Sequence, residues 1–100
     1  MTTIDNPAQR TMPETVTMLM LCTAHVTSAT AYKLDRSDLE YPTYVKEEYG
    51  WIVPVLDEEY CTEVPADLGR CIDYAEKLGC KWIMFDRDVD RVSDLPEYQW

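Results

Sequence analysis

Val16-Thr17-Met18-Leu19-Met20-Leu21-Cys22-Thr23-Ala24-His25 is the stretch on which the fold turns. Met18 to Cys22 are five consecutive apolar residues with neither a polar face nor a helical stripe. A run that short and that apolar predicts a strand covered on both sides, in the middle of a sheet. The strand is expected over about Thr15 to Cys22. The rest of the chain should then be arranged around it and around the turn at its carboxyl end.

Working outward, residues 1–14 carry two prolines and no periodicity, which predicts a flexible N-terminal arm before a single domain over 15–100. After the strand, Thr27 is a good N-cap for a short helix from Ser28 to Asp35 or Arg36, with Val26 placed to staple onto Ala31. The polar segment Ser37 to Thr43 connects to Tyr44-Val45-Lys46-Glu47-Glu48-Tyr49-Gly50-Trp51-Ile52-Val53-Pro54-Val55-Leu56. Aromatic and β-branched residues flanking Glu-Tyr-Gly predict a hairpin that turns near Glu48 to Gly50. Pro54 has no N–H to give, so it implies an edge, a bulge or a strand end.

An acidic loop, Asp57 to Glu63, leads to the second helix. Pro65 suits its first turn, Asp67 complements the positive end of its dipole, and Gly79 closes it. Leu68, Cys71, Ile72, Ala75 and Leu78 form its apolar stripe. Lys81 to Asp86 reads as the last strand, and the aromatic tail Leu95 to Trp100 can fold back on the sheet. Strand, helix, strand, strand, helix, strand is an α+β order. It predicts a ferredoxin-like βαββαβ arrangement, an antiparallel sheet with two helices on one face.

Several short pieces together resemble a known family: Cys22-Thr23-Ala24-His25-Val26-Thr27, Tyr49-Gly50-Trp51, Leu78 to Asp88, and Leu95-Pro96-Glu97-Tyr98-Gln99-Trp100. They are similar to a small bacterial domain family of unassigned function carried on plasmids, prophages and integrative elements, often near antirestriction genes. The resemblance spans about residues 16 to 100. It carries no catalytic residues with it. It implies a setting, conflict between mobile elements and host defence.

Charge is the strongest compositional feature. The 100 residues carry a net charge of −10, and its distribution is uneven. Residues 35–63 hold nine acids against Arg36 and Lys46, and residues 86–97 hold five against Arg87 and Arg91. The remaining residues hold five of each sign, so these two segments contain all of the excess. Such a surface opposes direct binding to nucleic acid or to an anionic membrane and favours a cationic partner. The plain alternative is a solvated acidic face. No signal peptide, no apolar run near the ~20 residues of a membrane span, and no zinc-type cysteine spacing is present, so a cytoplasmic protein with reduced thiols is expected.

The candidate chemistry is sparse. His25, the sole histidine, stands at the carboxyl end of the first strand, where Asp86 or Asp88 could orient it as a general base. A small enzyme or ligand-binding domain centred on His25 and the Asp86–Asp88 loop is therefore one reading. Asp86, Asp88, Asp90, Asp94 and Glu97 fall at EF-hand positions 1, 3, 5, 9 and 12, but Arg91 replaces the turn glycine, and no metal or other cofactor is expected. The four cysteines read as core hydrophobes, and isolated glycines give no phosphate loop. The preferred expectation is a non-enzymatic acidic inhibitor, of anti-CRISPR or antirestriction type, presenting carboxylates in place of DNA phosphates to a cationic nucleic-acid-binding complex. The residues expected to meet that partner are Glu47, Glu48, Asp57, Glu58, Glu59, Glu63, Asp86, Asp88, Asp90 and Asp94.

Overall fold

The computed structural model describes residues 12–57 and 63–100. Residues 12–17 are exposed and without regular structure, and the rest of the expected N-terminal arm lies outside the described residues. The elements then follow in the expected order: β1 (Met18–Leu21), a 3-10 turn (Thr23–His25), α1 (Ser28–Asp35), β2 (Tyr44–Lys46), β3 (Gly50–Pro54), α2 (Ala66–Lys77) and β4 (Trp82–Asp86).

Their assembly departs from the ferredoxin-like expectation. The four strands lie in the order β1-β4-β3-β2, with β1 parallel to β4 and the other two pairs antiparallel. The sheet is therefore mixed, and β1 is an edge strand rather than a central one. The inner positions belong to β4 and β3. The expectation failed for a physical reason. A run apolar on both faces need not be covered on both faces, and Met18 and Met20 are 37 % and 43 % exposed.

Pairing register sorts the strand residues onto two faces, because side chains alternate along each strand. Leu19, Leu21, Ile83, Phe85, Trp51 and Val53 share one face. That face packs against Ala31 and Leu34 of α1 and Leu68, Cys71, Ile72 and Ala75 of α2 in one core cluster. Both helices thus cover the same face, as expected. Leu78 departs from the predicted stripe: it lies just past α2 and is 55 % exposed.

Local devices fix these elements. The Thr27 hydroxyl accepts the Thr30 N–H and caps α1. The hairpin turn is residues 47–49, with Glu47 at φ 48° and the Tyr49 N–H donating to the Lys46 carbonyl. Gly50 must be glycine, because a Cβ there would lie 1.8 Å from the Phe85 carbonyl oxygen. Pro54 is the last residue of β3, so its missing N–H interrupts nothing. The Val55 N–H then bonds the Lys81 carbonyl, and the Lys81 N–H bonds that of Thr17. Tyr41 is buried beside the end of β3, its hydroxyl donating to Pro54 O and accepting the Leu56 N–H.

Candidate functional site

His25 is 1 % exposed, and both of its ring nitrogens are used within the fold. Nδ1 donates to the Pro96 carbonyl at 2.9 Å, and Nε2 accepts the Val92 N–H at 2.9 Å. The pairing holds the ring in the tautomer that carries its proton on Nδ1. Neither Asp86 nor Asp88 pairs with it. A base needs a free lone pair facing a substrate, and His25 has none. Its task is to fasten residues 92–96 to the turn after β1. The Tyr98 N–H continues the seam to Ala24 O, and the Trp100 indole donates to Val26 O. The expected fold-back of the aromatic tail is thus real, but it covers the sheet's end rather than its surface.

The Asp86 loop is likewise committed to structure. Asp86 accepts from Lys46 Nζ at 2.8 Å and from the Asp88 N–H at 2.8 Å. The Lys46 ammonium first, and then the Asp88 amide, hold its carboxyl below the usual carboxylate range. Asp94 accepts from the Tyr74 hydroxyl, which raises the phenol above its ordinary value, and Glu97 pairs with Arg91 at 2.9 Å. The carboxylates at the EF-hand positions thus point to separate partners. Among the described residues no group of three or more potential metal ligands converges.

The acidic residues expected to meet a partner divide by place. Glu47 and Glu48 form the turn beside Gly50, which pairs with Asp86, and the Arg87 N–H bonds Tyr49 O. The hairpin turn and the loop after β4 are therefore brought together at one end of the sheet, carrying Glu47, Glu48, Asp88 and Asp90. Among the described residues these four side chains make no ion pair, whereas Asp86 is spent on Lys46 and Asp94 is tied to Tyr74. Asp57 goes to the opposite end, past the Val55–Lys81 bond. Glu63 is exposed in the turn leading into α2, and Glu58 and Glu59 lie outside the described residues.

One acid that sequence reasoning assigned only to a helix dipole has a larger role. Asp67 is 7 % exposed and accepts the Thr27 N–H at 2.7 Å and the Thr30 hydroxyl at 2.8 Å. Burial pushes its carboxyl up. The bonds from Thr27, Thr30 and the Leu68 amide outweigh burial and hold it below its ordinary value. It joins the start of α2 to the start of α1. Nearby, burial first and then the Asp67 charge push the Cys71 thiol up to about 12, so Cys71 is an inert core residue. Cys22 and Cys80 are buried with free thiols.

The largest feature the sequence hid is the second face of the sheet. Met18, Met20, Trp82, Met84, Ile52, Pro54 and Tyr44 lie on it, and the core cluster holds none of them. Tyr44 leans on Trp82 with ring centres 6.2 Å apart, and Lys46 Nζ reaches the Met84 sulfur at 3.5 Å. The Lys46–Asp86 pair closes this face at the same end as Glu47 and Glu48. The alternation Met18, Met20 on one strand and Trp82, Met84 on the next was the available signal. It was indistinguishable from burial without the strand order.

A family model matches residues 18–100, beginning at the first residue of β1: the C-terminal domain of a family of unknown function (DUF5983). The chain belongs to this family. Comparison with curated proteins and with solved structures gave no match. No helix among the described residues is long and apolar enough to cross a membrane.

Proposed function

We propose that the domain is a non-enzymatic binding module that engages a basic, nucleic-acid-binding protein complex of host defence, as an antirestriction or anti-CRISPR inhibitor does. The observation that carries this reading is the apolar sheet face that neither helix covers, with carboxylates that make no ion pair among the described residues at one end of it. An exposed apolar face of this size is often functional on a monomer. Four strands about 4.8 Å apart, with up to five residues at about 3.3 Å each, give a face of roughly 300 Å². A stable interface needs about 800 Å² from each partner. Contact must therefore spread beyond the sheet, and at the hairpin end it meets Glu47, Glu48, Asp88 and Asp90. A second copy of a chain with net charge −10 would bring like charges together there. A basic partner brings arginine or lysine that would otherwise hold DNA phosphates. A cytoplasmic setting on a mobile element accompanies this reading.

The test uses purified restriction and CRISPR surveillance complexes with the intact chain. Binding should weaken steeply with salt, and duplex DNA should compete for the same site. Charge reversal of Glu47 with Glu48, or of Asp88 with Asp90, should abolish it, since removing one partner of a desolvated ion pair costs about 2–5 kcal/mol. Full binding by both reversed variants, with no competition from DNA, refutes the DNA-mimic reading.

A further inference from the structure

Although the chain is strongly acidic, three of its nine basic residues gather around the C-terminal tail. Arg70 donates to the Tyr98 hydroxyl at 3.1 Å, and Arg91 pairs through Nε with Glu97. Arg87 lies over the Tyr49 ring at 5.3 Å, and its charge also helps to hold the Asp86 carboxyl low. Arg87 and Arg91 line a hollow of about 340 Å³ with Thr23, Tyr98 and Trp100, and no carboxylate lines it. This hollow adjoins a larger one of about 610 Å³, with which it shares Thr23, Arg87 and Trp100. The larger one adds Tyr49 and three carboxylates, Asp35, Glu47 and Glu48, of which Asp35 already accepts from the Trp51 indole.

The hollows open where the parallel pair β1 and β4 ends, at the carboxyl side of both strands. Their volumes suit a small molecule. We infer that this joined cleft binds a small anion bearing an aromatic ring and hydroxyl or amino donors, of the nucleoside monophosphate class. The chemistry divides along the cleft. The guanidinium groups of Arg87 and Arg91 take the anionic group, Arg91 meeting Glu97 through Nε at 2.9 Å. Trp100 is 60 % exposed, and its indole is anchored by Val26 O, so it offers a fixed ring face for stacking. Glu47 and Glu48 accept from hydroxyl or amino groups at the wider end. The cleft shares Glu47 and Glu48 with the hairpin end of the open face, but its arginines and Trp100 lie apart from that face, and its existence does not depend on the inhibitor reading.

Titration of the intact chain with AMP, followed by calorimetry and tryptophan fluorescence, tests the inference, with adenosine and inorganic phosphate as the other two arms. AMP should bind saturably at submillimolar concentration. Adenosine and phosphate should each bind at least about tenfold more weakly, as expected when a charge-assisted contact or a stacking contact is lost. The double variant Arg87→Gln with Arg91→Gln should lose about tenfold or more in AMP affinity with an unchanged melting curve. Both arginines are surface residues, so that variant folds even where a Trp100 substitution would loosen the tail. Absence of saturable AMP binding overturns the site. So does equal affinity for adenosine and AMP, or unchanged AMP affinity in the double variant.

Discussion

On the helix side of the sheet, Leu21, Val53, Ile83 and Phe85 have no exposed surface, whereas on the other side Met18, Met20 and Tyr44 keep 37, 43 and 58 % of theirs. Met20 and Leu21 are neighbours in β1 and of similar hydrophobicity, yet they fall in opposite sets. What separates them is tertiary: α1 and α2 both cross one face and leave the other open. Burial therefore makes one set the stability of the fold, and exposure makes the other available for contact. Chemistry alone does not assign a residue to either group.

The largest effect should come from the covered face. Ile83→Ala, Leu68→Ala or Ile72→Ala should each cost about 2–5 kcal/mol, through lost transfer energy and the cavity left behind. Urea or thermal unfolding measures this. If the same substitution at Ile52 on the open face costs as much, the two faces are not distinct and the open face is covered in solution.

The next effect tests whether His25 is a fastener. His25→Ala leaves the Pro96 carbonyl and the Val92 N–H without their partners, at about 1–3 kcal/mol. The loss should be local in its signature: the amides of Val92 and Tyr98 should exchange with solvent faster, while those of α2 keep their protection. Uniformly faster exchange across the fold would mean that His25 supports the whole core instead.

Asp67 gives a pH-dependent counterpart. Asp67→Asn keeps an acceptor for the Thr30 hydroxyl but sets an amide donor against the Thr27 N–H, costing about 1–3 kcal/mol at neutral pH. The folded carboxyl lies below its ordinary value, so its contribution is complete above the unfolded value of about 3.9 and is lost as pH falls through the lower folded one. Stability curves of the parent and the Asn variant should stay apart at neutral pH and converge only in strong acid. Curves that converge near neutrality would remove the charge from the account.

The order and kinds of element were legible in the sequence because each has a local cause. Thr27 caps a helix, Gly50 marks a hairpin, and the Leu68–Cys71–Ile72–Ala75 stripe has helical spacing. Strand order was not, because β1 and β4 are separated by sixty residues and nothing local says which strand β1 will join. The site was less legible still. His25 carried the right residue type at a suggestive place, but its partners are backbone groups of the tail, which no side-chain pattern announces. The acids were legible as segments, while their division between one sheet end, the other end and internal pairs follows from the register Gly50 to Asp86.

The smallest expected effect on stability separates the two faces most sharply. Met20 stands on the edge strand, opposite Met84, with nearly half of its surface in water. A lysine there keeps an apolar stem along the sheet and puts its ammonium into solvent. Met20→Lys should therefore change unfolding free energy by no more than about 0.5 kcal/mol. In docking, the same change should be severe. A basic partner covering this face would meet a buried like charge, and association should weaken at least as much as after reversal of Glu47 and Glu48. If Met20→Lys binds the defence complexes as the parent does, the contact runs through the carboxylates alone and the open face belongs to another occupant. A large loss of stability in Met20→Lys would instead mean that this face is already covered in solution.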